Sequence, residues 1–294
     1  MKISYLSVLA LLLCMPLLNA QHVFPAEVSK AEFLGRSRPL KDIPALPAGK
    51  RKEKLRRLFP KEVPNFTFNR PMPAPFADVA EPRNGDPLAG AGALRNPLHT
   101  VEPDTVWEGI GRNLAGVLPP DPVGDASPSH FLQMTNSSGG AYLRAYDKEG
   151  AILLEMPNLN SLWAEFNAQG NGDPIVLWDP LAERWLITER TSLFSGNDLL
   201  LVAISETSDP LGAWLAYRFQ AQEFPDYPKY AVWHNAYIVT TNETGDDIPV
   251  YALEKEAMLA GSEEVEIYRL GIPKFGEGSD FQVATPVDFD GVNP

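Results

Sequence analysis

The chain of 294 residues contains one cysteine, Cys14, and four histidines, and basic side chains become scarce after residue 70. Cys14 lies in the N-terminal apolar run behind Leu12 and Leu13, where a lipid-attachment site would need small residues, so lipidation is not expected. Beyond that run there is no thiol for a disulfide, a nucleophile or a metal ligand. His22, His99, His130 and His234 are scattered, and no pair has the spacing of zinc ligands. The absence of a Gly-x-Ser-x-Gly elbow and of a phosphate-cradling glycine loop argues against serine-hydrolase and nucleotide chemistry. After residue 20 no apolar run is long enough to span a bilayer.

What the first twenty residues do contain is the order of a secretory signal: Lys2, the apolar run Ile3 to Leu18, then Asn19-Ala20. Cleavage is expected after Ala20, giving a secreted or cell-surface protein without a transmembrane anchor. Charge is distributed unevenly along the rest. Residues 21–70 carry 12 Lys plus Arg against 5 Asp plus Glu, whereas residues 71–294 carry 12 against 33. A body this acidic repels phosphates, so nucleic acid is not expected as its partner. The basic run KRKEKLRR (50–57) reads as a solvated stretch in preference to a polyanion or membrane-surface contact.

Two textures follow. Residues 21–105 hold 13 prolines and few apolar runs, and are expected to be an extended or disordered leader or linker, complementary in charge to the acidic domain and able to lie across it or to be processed as a pro-segment. From residue 106 short alternating runs bounded by Gly, Pro, Asn and Asp predict an all-β domain over 106–294. Strands are expected at 130–136, 141–147, 151–155, 184–189, 199–205, 214–219, 236–242, 249–253 and 264–270, with short helices at 160–167 and 254–259.

A repeat underlies this texture. Aspartates with a proline close by open similar segments at Asp121, Asp173 and Asp226, and a further copy starts at Asp280, so the period is 52 to 54 residues. Units of roughly 40 to 50 residues holding four strands are the size of β-propeller blades. The expected fold is therefore a β-propeller-like repeat, with about three blades and the start of a fourth. A closed ring has about four to eight blades, so the remaining blades are expected outside this chain. The blocks LPPDPVGDASPSHFLQMTN (118–136), GDPIVLWDPLAERWLITE (172–189), FPDYPKYAVWHNAYIVTTNE (224–243), YALEKEAMLAG (251–261) and VDFDG (287–291) resemble those of a group of exported bacterial β-propeller-like proteins. That resemblance implies an all-β, exported surface protein and supplies no catalytic residue.

Three chemistries can be drawn from the acidic and aromatic residues. Glycan hydrolysis needs two carboxyls about 5–5.5 Å apart for retention or about 6.5–9.5 Å for inversion, one of them with a raised pKa. Asp121, Asp173, Asp226, Glu189 and Glu243 are the candidates, although an acid at the same phase of every repeat is expected to cap loops first. Calcium, which takes about six to eight oxygens, is the metal that Asp288 and Asp290 suit, with Asp246 and Asp247 as a weaker pair. Trp178, Trp185, Trp214 and Trp233 are candidates for an aromatic platform, against the commoner fate of packing between blades. The leading expectation is an exported binding or scaffold module without catalysis, its ligand an extracellular glycan or protein; a carbohydrate-active hydrolase is the alternative.

Overall fold

The structure is a computed structural model that describes residues 27–47, 105–191, 198–274 and 281–289. The expected signal peptide and the basic run lie outside the described residues. Twelve strands form three antiparallel meanders, each in chain order. The first blade is β3 (Val123–Ala126), β4 (His130–Ser137), β5 (Gly140–Asp147) and β6 (Ile152–Met156). The second is β7 (Ile175–Asp179), β8 (Arg184–Arg190), β9 (Leu199–Ser205) and β10 (Trp214–Gln220). The third is β11 (Asp226–Val232), β12 (Ala236–Asn242), β13 (Asp247–Glu254) and β14 (Glu266–Pro273). The first strands of successive blades stand side by side, β3 beside β7 and β7 beside β11, so the fold is all-β and propeller-like. Among the described residues no helix is long and apolar enough to cross a membrane.

Short-range chemistry makes the hairpins. Asp147 Oδ1 accepts the N–H groups of Glu149 at 3.1 Å and Ala151 at 2.7 Å, closing the turn before β6. Asp179 Oδ1 does the same for Leu181 at 3.0 Å and Ala182 at 3.1 Å between β7 and β8. Such Asx turns let a side chain replace a missing backbone acceptor.

Blade packing follows from the two-residue period of a strand. In the second blade Leu186, Leu200, Val202, Ile204, Leu215 and Tyr217 face the third blade, in one core with Tyr230, Tyr237 and Tyr251. Their neighbours Trp185, Ile187, Leu201, Ala203, Trp214 and Ala216 face the first blade, in a second core with Leu132, Leu143 and Trp163. A sheet covered on both faces has no polar side, which is why β9 reads LLLVAIS without alternation.

Two strands lie where a linker was expected. β1 (Glu27–Lys30) pairs antiparallel with β14, and β2 (Glu32–Arg36) with β10, so the N-terminal segment adds a fifth strand to the third and second blades. It continues as a strap. Ser37 exchanges hydrogen bonds with the Trp214 backbone, the Leu40 N–H donates to Gly212 O at 2.7 Å, and the Leu46 N–H donates to Ser161 Oγ at 2.8 Å. Leu40 and Ile43 are buried in the core between the first two blades, and Ala31 in the other. Within the expected leader or linker of residues 21–105, residues 27–47 are extended along the folded body and pair with it; residues 48–104 lie outside the described residues. The charge complementarity is present where Arg36 pairs with Glu206, Arg38 with Glu165 and Lys30 with Glu264, while Glu32 of the strap pairs in the opposite sense with Arg218. These pairs are mostly exposed and each stabilises by about 1 kcal/mol or less, so burial and the added ladder hold the strap.

This makes a stability difference measurable by urea denaturation. Leu40→Ala is expected to destabilise the protein by about 2–5 kcal/mol, as for a buried leucine. Leu46→Ala, at an exposed position, should change stability by about 0.5 kcal/mol or less. Equal, negligible effects would mean that the strap is an undocked linker.

Candidate functional site

The three repeat aspartates sit at the start of the inner strands. Asp121 and Asp173 adopt left-handed backbone angles, φ 38° and 49°, and in the third blade the following residue, Tyr227, does so at φ 50°; aspartate tolerates this region better than most residues. Each aspartate is held by its own blade's second strand. Asn136 Nδ2 donates to Asp121 Oδ2 at 2.8 Å, Arg190 Nε to Asp173 Oδ2 at 2.6 Å, and Asn242 hydrogen-bonds Asp226.

The asparagines also join neighbouring blades. Asn136 Oδ1 accepts the N–H of Asp173 at 2.8 Å, linking the first blade to the second. Asn242 Oδ1 accepts the N–H of Gln282 at 3.0 Å, so residues 281–289 meet the third blade in the same way. Asp280, the expected start of the fourth copy, lies outside the described residues. Gly172 has φ +95°, and a Cβ there would come within 2.6 Å of Asn136 Oδ1, so this junction requires glycine.

Arg190 occupies the asparagine position in the second blade. Its guanidinium carbon lies 4.9 Å from the centre of the Phe224 ring while Nε holds Asp173. Burial, then the Asp173 charge, raise the pKa of both Asp121 and Asp226; Lys229 and Asn136 oppose this at Asp121, Arg190 and Asn242 at Asp226. Asp173 therefore acts on both other carboxylates. Beside them, Tyr227 is 45% and Phe281 52% exposed, their rings edge to face at 5.3 Å, and Lys229 Nζ lies 3.8 Å from the Tyr227 ring centre. The end of the inner strands thus combines carboxylates, one ammonium and an exposed aromatic pair, a mixture suited to hydroxyl-rich or polar ligands.

The two glutamates do not join this group. Glu189 is fully buried and accepts Trp163 Nε1 at 2.7 Å and the Gly172 N–H at 2.9 Å. Glu243 accepts Thr241 Oγ1 at 2.6 Å, Tyr251 Oη at 2.9 Å and the Glu223 N–H at 3.0 Å. Each holds the loop that enters its own blade. Burial pushes the Glu189 carboxyl up to about 7, against the pull of the Gly172 and Trp163 donors, and raises Glu243 as well.

The tryptophans divide. Trp185 and Trp214 are fully buried, their Nε1 groups donating to Ser208 O at 3.3 Å and Pro210 O at 3.0 Å, which removes both from an aromatic platform. Trp178 packs on Trp185 with ring centres 5.1 Å apart. Trp233 is 42% exposed and meets His234 and Phe289 edge-on. Of the calcium candidates, Asp288 Oδ1 accepts the Val232 N–H at 2.6 Å, Asp247 pairs with Arg269 at 2.5 Å, Asp246 is exposed, and Asp290 lies outside the described residues. Among the described residues no group of three or more His, Cys, Asp or Glu could hold a metal ion.

Sequence reasoning missed Asn136, Arg190 and Asn242. Their common place at the end of each second strand was the available signal. It also missed the buried pair Asp179–Lys255, 2.6 Å apart, in which Asp179 Oδ2 also accepts Tyr237 Oη at 2.9 Å. That pair ties the second blade to the third.

No protein-family profile matches the chain, and no curated protein matches it. Among solved structures, a GH43 β-1,3-galactosidase is similar with a TM-score of 0.32 and 10% identity, over 46% of this chain and 32% of that one. The matched part is thus about a third of that protein's length.

Glu189 gives the site region a pH dependence. Its folded pKa, about 7, lies above the ordinary 4.5, so between these values the folded state binds the proton that the unfolded state has released. Stability from this group is present below about pH 4.5 and lost as pH rises through about 7, by about 3 kcal/mol. Asp121, Asp226 and Glu243 shift in the same direction. Urea midpoints should fall from pH 5 to pH 7.5, and Glu189→Gln should flatten that fall; an unchanged slope in the variant would refute the assignment.

Proposed function

We propose that this is an exported β-propeller-type module that binds an extracellular glycan or protein at the end of its inner strands and does not catalyse a reaction. The observation that supports non-catalysis is the bonding of the carboxylates. Asp121, Asp173 and Asp226 are each held by a side chain of their own blade, and Glu189 and Glu243 are turned into the scaffold. Binding is supported by the exposed Tyr227–Phe281 pair beside partly exposed acids and Lys229. Export rests on the order of residues 2–20, with Gln21 as the mature N-terminus.

A carbohydrate-active hydrolase is the second reading, favoured by one observation: Asp121 and Asp226 are both raised in pKa on either side of an ion-paired Asp173. A raised carboxyl beside an ion-paired one is the pattern of an acid with its partner.

A glycan array combined with a hydrolysis assay on the secreted chain separates the two. Binding without turnover is expected, weakened about tenfold by Tyr227→Ala through loss of aromatic contact. Asp173→Asn, which frees Arg190, should also weaken binding. Turnover by the wild type that vanishes in Asp173→Asn would replace the binding reading with the hydrolase.

A further inference from the structure

Asp179 and Lys255 form the driest ion pair among the described residues. Their side chains are 0% and 4% exposed, with Nζ 2.6 Å from Oδ2. Lys30–Glu264, the other lysine–carboxylate pair among these residues, is mostly exposed. Asp179 ends β7 of the second blade, and Lys255 opens the short helix Lys255–Leu259 that follows β13 of the third. Two charges taken out of water are costly even when they meet. A reaction that removed both charges and kept the blades joined would remove that cost.

The groups around the pair are placed for such a reaction. Oδ1 of Asp179 accepts two backbone N–H groups, from Leu181 at 3.0 Å and Ala182 at 3.1 Å. Two N–H groups converging on a carboxyl oxygen can hold the negative oxygen of a tetrahedral intermediate. Oδ2 accepts Tyr237 Oη at 2.9 Å. Burial, then the Asp179 charge, raise the pKa of Tyr237, so its hydroxyl keeps its proton and hands one on only as it takes another. Lys255 Nζ also donates to Trp233 O at 3.2 Å and lies 5.5 Å from the Tyr237 ring centre. The carboxyl carbon is one C–O bond, about 1.23 Å, beyond Oδ2. It is therefore at most about 3.8 Å from the nitrogen, close to the roughly 3–3.5 Å of a reacting pair.

We propose that Lys255 and Asp179 condense to an amide, a covalent bond between the second and third blades. A proton passes from Nζ to Oδ2, leaving a neutral amine and a carboxylic acid. The Nζ lone pair attacks Cγ, and the negative charge moves to Oδ1 between the Leu181 and Ala182 N–H groups. Tyr237 relays a proton from the nitrogen to Oδ2. The Cγ–Oδ2 bond breaks, the Cγ–Oδ1 double bond re-forms, and Oδ2 leaves as water. One amine and one acid give one amide and one water, with no oxidant or cofactor. In solution the separated ions are preferred, but groups fixed side by side react as if at about 10⁵–10⁸ M. The dry surroundings keep water from reversing the step. The bond would do for this chain what a disulfide does elsewhere, since its one cysteine is Cys14.

Trypsin digestion and mass spectrometry of the secreted chain test this. Trypsin does not cleave after an acylated lysine, so the wild type should yield residues 149–184 joined to 230–269, lighter than the two peptides together by one water. Lys255→Met should yield these two peptides apart. In chains collected soon after synthesis, Tyr237→Phe should contain about tenfold less joined product than the wild type, or lower still, through loss of the proton relay. The wild-type digest decides whether the bond exists even where a variant fails to fold. The proposal is overturned if the wild type is cleaved after Lys255 and releases 149–184 at its full mass. It is equally overturned if the joined species persists in Lys255→Met, or if Tyr237→Phe joins as fast as the wild type.

Discussion

The second blade has water on neither face, and much of the molecule is arranged around that constraint. Successive side chains of β8, β9 and β10 enter two different cores, one shared with each neighbouring blade. A register slip of one residue would exchange the two sets and drive Trp185 and Trp214 into the space shaped for Leu186 and Leu215. The same register aims Arg190 at Asp173 and turns Glu189, one residue earlier, toward Trp163 on the other side. Packing and polar chemistry are therefore set by one alignment of strands.

The repeated acids then acquire different duties from their neighbours. Asn136 and Asn242 can donate and accept at once, so each bonds its own aspartate and the next segment's backbone. Arginine cannot accept. With Arg190 at that place, the link is replaced by a cation set between Asp173 and Phe224, and Asp173 is ion-paired while burial and its charge drive Asp121 and Asp226 upward in pKa. A single change of residue type within the repeat thus creates an electrostatic centre, and the exposed ring of Tyr227 lies beside it.

Without disulfides, the blades are joined by other means. Between the second and third, the buried Asp179–Lys255 pair has Tyr237 and two backbone N–H groups to satisfy the carboxylate, the condition under which a buried pair is tolerated. Around the outside, the strap contributes backbone ladders and buried Leu40, with its arginines oriented by the acidic surface.

The sequence by itself determined that strands dominate, where nine of them lie, and that a unit recurs every 52 to 54 residues, because alternation, turn residues and repeats are properties of neighbouring positions. The inner strands β3, β7 and β11 were hidden by their flanking prolines and, in β11, by Pro228 at a register shift. EVSK and EFLGR form β1 and β2 only because the edges of β14 and β10 are free to receive them, which no local pattern in those residues encodes. Tertiary structure alone decided which acids meet and which are buried. Asp173 and Glu189 are both carboxylic acids of the same repeat, and the direction of a side chain across a packed sheet, fixed by contacts distant in the chain, gives one a cation and the other a buried pocket.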